Sequence, residues 1–179
     1  MNRWIAILTL LLAAPVAFAQ EQMIGLGEAV TQALAARTGK ALAAEREGSK
    51  VEVRILGDDG QLHELAIDAR DGRVVAQRAS TSPKATEWAR RLLTAAKLPL
   101  IEFIAQAEGR ASGRAVEAEF EFAAGQVVCD VAVRSAAGGV ELVFDGENGG
   151  FLRLNSTIAA VTRIPSAAVV SWIPPSVLV

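Results

Sequence analysis

The chain contains two similar turn segments, and their spacing is the feature that most constrains its fold. The first runs from Ile67 to Val75 and the second from Phe144 to Leu152. In each, a short apolar stretch ends on Asp, a turn containing Asp-Gly or Asn-Gly follows, and a second apolar stretch begins. Three residue pairs are 77 positions apart: Asp68 and Asp145, Asp71 and Asn148, and Gly72 and Gly149. The spacing predicts two hairpins built on one plan.

Residues upstream of these turns also recur, at a slightly shorter spacing. Four pairs are 74 positions apart: Glu28 and Glu102, Gly39 and Gly113, Glu45 and Glu119, and Glu47 and Glu121. An insertion of three residues around 123–125 accounts for the change from 74 to 77. One constant offset over a helix and another over a hairpin indicate an internal duplication. We therefore expect an α+β fold with two tandem repeats, each an amphipathic helix on one face of a three- or four-stranded antiparallel sheet.

The N-terminus has the pattern of a secretory signal peptide. Arg3 supplies a positive charge, an apolar stretch extends over 5–16, and Ala17-Phe18-Ala19 fits the small-x-small cleavage rule. The mature chain is then expected to begin at Gln20. A periplasmic or secreted protein is predicted, with no stable membrane span after cleavage.

Composition limits the classes of partner. The net charge is −2 at pH 7, and no basic stripe is present, so nucleic acid is not an expected partner. Cys129 is the single cysteine, which excludes an intramolecular disulfide. Stability must come from packing.

Periodicity divides the chain into five segments. Helical spacing predicts helices over about 27–38 and 84–97 and a third beginning at Pro99, and alternation predicts short strands after the first and third helices. The expected organisation is a signal peptide over 1–19, a first repeat over 20–78, a linker over 79–83, a second repeat with a leading helix over 84–154, and an apolar, proline-containing tail over 155–179.

Together these features resemble the PepSY domain. The residues that carry the resemblance in the first copy are Glu28-Ala29, Gly39, Glu45, Asp58 to Gly60, and the segment Ile67 to Val75. Those that carry it in the second copy are Glu102, Gly113, Glu119-Phe120-Glu121, and Asp145 to Gly149. It covers about 25–77 and 98–154. In the second turn, Gly146 and Asn148 depart from the usual Ala and polar pair. PepSY domains occur in propeptides of thermolysin-like metalloproteases and in secreted or membrane-attached bacterial proteins, so the resemblance implies a noncatalytic module that restrains or regulates a peptidase.

The residues themselves offer little catalytic chemistry. His63 is the single histidine and shares a strand face with Leu65 and Ile67, which favours a partly buried structural role over a pH switch. Cys129 lies between Val127 and Val131 on an inward face, which favours an inert thiol over a nucleophile. Asp68 and Asp71 lack the ligand series of a calcium loop, so they are interpreted as turn residues. We expect no catalytic set, cofactor or metal site, and therefore no enzyme.

Glu117, Glu119 and Glu121 form a glutamate stripe on one side of a predicted strand. The stripe is interpreted either as a solvated surface or as a docking surface on an uncovered sheet face. The leading hypothesis is an exported binding protein that regulates or inhibits a peptidase, with another exported protein as its partner. The alternative is a small-ligand or divalent-metal-responsive accessory protein of an envelope sensing system. The tail is interpreted as either an edge element or a docking segment.

Overall fold

Alternating apolar and polar residues produce eight strands, and three amphipathic helices cover one side of them. The computed structural model describes residues 23–156. The helices are α1 (Leu26–Ala36), α2 (Pro83–Ala95) and α3 (Leu100–Ala111). The strands are β1 (Gly39–Glu47), β2 (Lys50–Gly57), β3 (Leu62–Asp68), β4 (Val74–Ala79), β5 (Arg114–Ala123), β6 (Gln126–Ser135), β7 (Gly138–Asp145) and β8 (Phe151–Ser156).

All eight strands belong to one antiparallel sheet, in the order β4-β3-β2-β1-β5-β6-β7-β8. Strands β1–β4 form one antiparallel meander and β5–β8 form a second. The two meanders meet at a joint where β1 pairs with β5 through Ala43–Glu119, Ala44–Ala118 and Glu45–Glu117. The expectation of two units, each with a helix on its own three- or four-stranded sheet, is therefore wrong. Pairing β1 with β5 removes two exposed sheet edges, which are sites of unwanted association in an isolated four-stranded sheet.

The helices share one core across this joint. Helix α1 contacts β1, β2 and β3 but also β5 and α3, and α2 likewise contacts strands on both sides of the joint. Phe103 of α3 packs edge-on against Phe120 of β5 with a ring centroid distance of 5.4 Å, and it also contacts Phe144 of β7. These aromatic contacts bury a large apolar area at the centre of the second meander.

The segments that pair at the joint are related by the 74-residue offset of the sequence. Ala44 and Ala118 are 74 positions apart, and they pair with each other at the centre of the sheet. Strand β1 bulges at Leu42, between Ala41 and Ala43, and β5 bulges at the corresponding Val116, between Ala115 and Glu117. A bulge increases the local twist of its strand, and here one bulge lies next to each end of the three paired positions.

Gly39 and Gly113 lie where the chain enters β1 and β5. A Cβ at Gly39 would lie 2.2 Å from the carbonyl oxygen of Leu56, and its φ of +149° disfavours other residues. A Cβ at Gly113 would lie 2.5 Å from the carbonyl oxygen of Arg134. Glycine is required at both positions because backbone of the neighbouring hairpin approaches too closely for a side chain.

Several sequence boundaries shift by a few residues. The expected linker over 79–83 spans the short connection between β4, which ends at Ala79, and α2, which begins at Pro83. Ser82 in this connection caps α2 by accepting a hydrogen bond from the Ala85 amide at 3.2 Å. Strand β8 includes residues 155 and 156, the first two of the expected tail. The expected signal peptide over 1–19 and the rest of the tail lie outside the described residues.

Candidate docking face

The predicted turn residues Asp68, Asp71 and Gly72 close the β3–β4 hairpin. The Asp68 carboxylate accepts a hydrogen bond from the Arg70 amide at 2.9 Å and pairs with the Arg70 guanidinium. These hydrogen bonds from Arg70 lower the pKa of Asp68 to about 2. Asp71 accepts from the Arg73 amide at 3.1 Å, and Gly72 has a φ of +76°. All three residues perform the turn chemistry expected from the sequence.

The second set of turn residues repeats this geometry between β7 and β8. Asp145 accepts from the amides of Glu147 and Asn148 at 2.8 and 3.2 Å. Asn148 accepts from the Gly150 amide at 2.7 Å, and Gly149 has the same φ of +76° as Gly72. Because these side chains are engaged with the turn backbone, the two turns are structural features of the sheet.

The glutamate stripe lies on the sheet face opposite the helices. In β5, Ala118 and Phe120 are buried beneath the helices, and Glu117, Glu119 and Glu121 point to the other side. Cross-strand pairing brings further carboxylates to the same side. We call this surface the acidic face and define it by Glu45, Glu52, Glu117, Glu119, Glu121, Asp130 and Glu141.

The charges on this side follow the strand pairing. Opposite charges face each other toward the β4 edge, where Arg78 pairs with Glu64 and Arg54 reaches Glu119 at 3.0 Å. On the other side of the joint, Glu119 lies directly opposite Asp130 on β6. Like charges at directly opposed positions repel, so the alternation of signs breaks down at this pair.

The carboxylates near this pair are poorly satisfied. Among the described residues, Glu119 Oε1 and Asp130 Oδ1 are buried and have no hydrogen-bond partner. Burial, followed by the charges of Glu121 and Glu141, raises the pKa of Asp130 to about 7. The same cause, burial together with neighbouring carboxylates, raises the pKa of Glu117 and of Glu121. Arg54 pairs with Glu119 and Arg153 lowers the pKa of Asp130, but carboxylates outnumber these two cations in this part of the acidic face.

Sequence reasoning found the glutamate stripe and missed its partner Asp130. Alternation alone places Asp130 on the wetter side of β6, but it does not show that Glu119 lies opposite. Glu45 and Glu52 were missed as members because the pairing of β1 with β5 is not visible in the sequence. The sequence signal for this pair was a run of glutamates in one predicted strand followed by an aspartate in the next.

His63 and Cys129 are both buried, as the sequence predicted. His63, near the start of β3, is 3% exposed. Its Nε2 lies 2.9 Å from the carboxylate of Asp59 in the turn before that strand. Cys129 is fully buried between the strands that carry Phe120 and Phe144, and burial raises the pKa of its thiol well above the ordinary value. Neither residue lies on the acidic face.

Residues 23–156 lack two further features. No group of three or more His, Cys, Asp or Glu side chains in this part of the chain is placed to hold a metal ion. None of the helices described is long and apolar enough to cross a membrane.

Comparison with known proteins gives little beyond this geometry. No family model and no curated protein matches the chain. A crystal structure of a candidate lipoprotein from Clostridium difficile is similar at a TM-score of 0.45 and 14% sequence identity, over 76% of this chain and 95% of that one.

Proposed function

We propose that the protein is a noncatalytic, exported binding protein whose acidic face docks a cationic segment of another exported protein. The observation that carries this proposal is the Glu119–Asp130 pair, in which two opposed carboxylates each have a buried oxygen without a partner. A lysine or arginine side chain from a partner would supply the missing donor and the missing positive charge.

The arrangement of charges favours an extended partner segment. Arg54 approaches the pair from one side through Glu119, and Arg153 of β8 lies on the other side, opposite Val143. Asp130 lies between these arginines with Glu121 beside it. A cationic side chain placed over Asp130 would restore the alternation of signs across the face.

The sequence supports the proposed export and suggests which type of partner to test first. The signal-like segment over 1–19 supports export, and the PepSY-like turns make exported metallopeptidases the first partners to test. Docking on the acidic face would restrain such an enzyme by occupying its surface.

A peptide-binding experiment tests the docking face directly. The mature chain, residues 20–179, is titrated into a fluorescein-labelled peptide of alternating Lys and Ser, with a Glu-Ser peptide as the charge-reversed control. We expect anisotropy changes with the Lys peptide only, and an affinity that falls as salt is added because the Debye length shortens to about 3 Å near 1 M. Glu119→Gln should weaken binding about tenfold, equivalent to ~1.4 kcal/mol.

Glu147→Gln is the matched control variant, because it removes one carboxylate from an exposed turn away from the face. Equal losses in Glu119→Gln and Glu147→Gln would show that only net charge matters, and the docking face would be rejected. The peptidase part is tested separately by incubating the mature chain with exported metallopeptidases of the same organism. No complex and no change in proteolysis would remove that part while leaving peptide docking intact.

A further inference from the structure

The joint between β1 and β5 opens into a cavity at one end. The strands pair through only three residue pairs, although β1 continues to Glu47 and β5 begins at Arg114. Beyond Glu45 and Glu117 the two strands separate, and a cavity of about 260 Å³ lies in the gap. The twist added by the bulge at Val116 accounts for the separation.

Large apolar side chains lie at the opposite end of the joint. Leu42 and Phe120 occupy that end and are 0% and 1% exposed. The 74-residue offset relates Leu42 to Val116 and Phe120 to Arg46, which line the cavity. At the cavity end, Arg46 takes the place that Phe120 has at the other end, and Val116 takes the place of Leu42. These replacements leave open space where packed apolar side chains would otherwise close the sheet.

Charges of both signs line this cavity. Glu45 and Glu117 lie directly opposite each other, and Arg46 and Arg134 supply two guanidinium groups. Within residues 23–156, neither glutamate forms a salt bridge, and Arg134 has no ion pair. Arg46 is held in place by donating to the carbonyl oxygen of Ile24.

The pKa shifts of the lining residues fit charged groups that lack a partner of opposite charge within the described part of the chain. Desolvation and the neighbouring Glu117 raise the pKa of Glu45, and desolvation together with Arg114 lowers the pKa of Arg46. Carboxylates and guanidinium groups thus line the same cavity without neutralising each other. A ligand with one negative and one positive end would satisfy both sets.

We propose that this cavity binds a free α-amino acid as its zwitterion, with the ligand carboxylate toward Arg46 and Arg134 and its ammonium group toward Glu45 and Glu117. The size fits this class, because drug-sized ligands usually occupy about 300–1,000 Å³ and the cavity is smaller. Guanidinium groups bind carboxylates through paired N–H donors, and carboxylates accept readily from ammonium groups. Val116 provides an apolar contact for the ligand side chain.

Calorimetry and amide NMR of the mature chain test this site with three probes. L-Leucine carries both charges, N-acetyl-L-leucine lacks the ammonium group, and L-leucinamide lacks the carboxylate. We expect L-leucine to bind with a Kd in the range of about 1 mM or tighter and to shift the amides of Gly48 and Val116. Each blocked analogue should bind at least about tenfold more weakly.

Glu45 and Glu117 belong to both the acidic face and this cavity, so the test uses two residues that each belong to one of them: Arg134 to the cavity and Glu119 to the acidic face. Arg134→Gln should weaken L-leucine binding about tenfold while leaving the Lys-Ser peptide affinity unchanged, and Glu119→Gln should do the reverse. Far-ultraviolet circular dichroism checks that each variant is folded. The proposal is overturned by no response to L-leucine at about 10 mM, by equal binding of the blocked analogues, or by unchanged L-leucine binding in a folded Arg134→Gln protein.

Discussion

Replacing Asp130 by Asn should stabilise the protein at alkaline pH and leave its stability nearly unchanged in acid. In the wild type, burial and the nearby Glu121 and Glu141 raise the pKa of Asp130 from its ordinary 3.8 to about 7. Above pH 7 the folded protein must therefore hold an ionised carboxylate opposite Glu119. Asparagine has nearly the same shape, carries no charge, and offers an N–H donor to the neighbouring carboxylates.

The sign follows from proton linkage. Because the pKa of Asp130 is higher in the folded protein than in the unfolded chain, the folded protein binds the proton more tightly. The resulting stabilisation is fully present below the unfolded pKa of 3.8 and is lost as the pH rises through about 7. Three units at about 1.4 kcal/mol each give an upper limit of ~4 kcal/mol. Solvent screening of a partly exposed group reduces this to ~1–2 kcal/mol.

Urea unfolding followed by circular dichroism at about pH 3.5, 6 and 8.5 measures this difference in the free energy of unfolding. We expect Asp130→Asn to exceed the wild type by ~1–2 kcal/mol at the highest pH and to match it at the lowest. Glu147→Gln, in an exposed turn, controls for loss of one negative charge. If the Asn variant is less stable than wild type at pH 8.5, or if both variants show the same pH dependence, the assignment of an electrostatic cost to Asp130 is wrong.

Three other predictions concern the core and the chain entry to the sheet. Gly39→Ala should destabilise the protein by about 3 kcal/mol in the same urea assay, because the added Cβ meets the Leu56 carbonyl. Gly48 has a φ of +60° and open space around it, so the control Gly48→Ala should cost only about 1 kcal/mol. Phe103→Ala should cost about 3–5 kcal/mol and lower the thermal midpoint, since it empties the site between two aromatic rings. Cys129 should resist a thiol reagent in the native protein and react after denaturation; rapid reaction without denaturant would contradict its burial.

Local pattern predicted most of the elements because each depends on residues that are close in sequence. The alternation of Val51, Val53 and Ile55 is a clear strand signal, and these three residues are buried in β2. The turns at Gly72 and Gly149 were also readable, since few residues other than glycine adopt a φ of +76°. Elements and turns were therefore accessible from the sequence alone.

The joint between the meanders was not accessible in the same way. Pairing β1 with β5 places Glu45 directly opposite Glu117, a like-charge pair that residue pairing preferences disfavour. The pairing is favoured by burial on the other side of the sheet, where Ala44 and Ala118 lie under the helices and are almost fully buried. Because the favourable energy comes from contacts distant in sequence, local pattern predicts separate units, and the single sheet overturns that prediction.

The same balance motivates the docking that we propose for the acidic face. The apolar side of the sheet is well packed around Phe103, Phe120 and Phe144, and it supplies the stability that repulsion of Asp130 by Glu121 and Glu141 reduces. A neutral residue at position 130 would keep the strand pairing and remove this repulsion, so the fold itself does not require the acid. Natural proteins tolerate such local costs at sites where a partner or ligand relieves them. Relief of this repulsion by a cation is what connects the chemistry of the face to the proposed function.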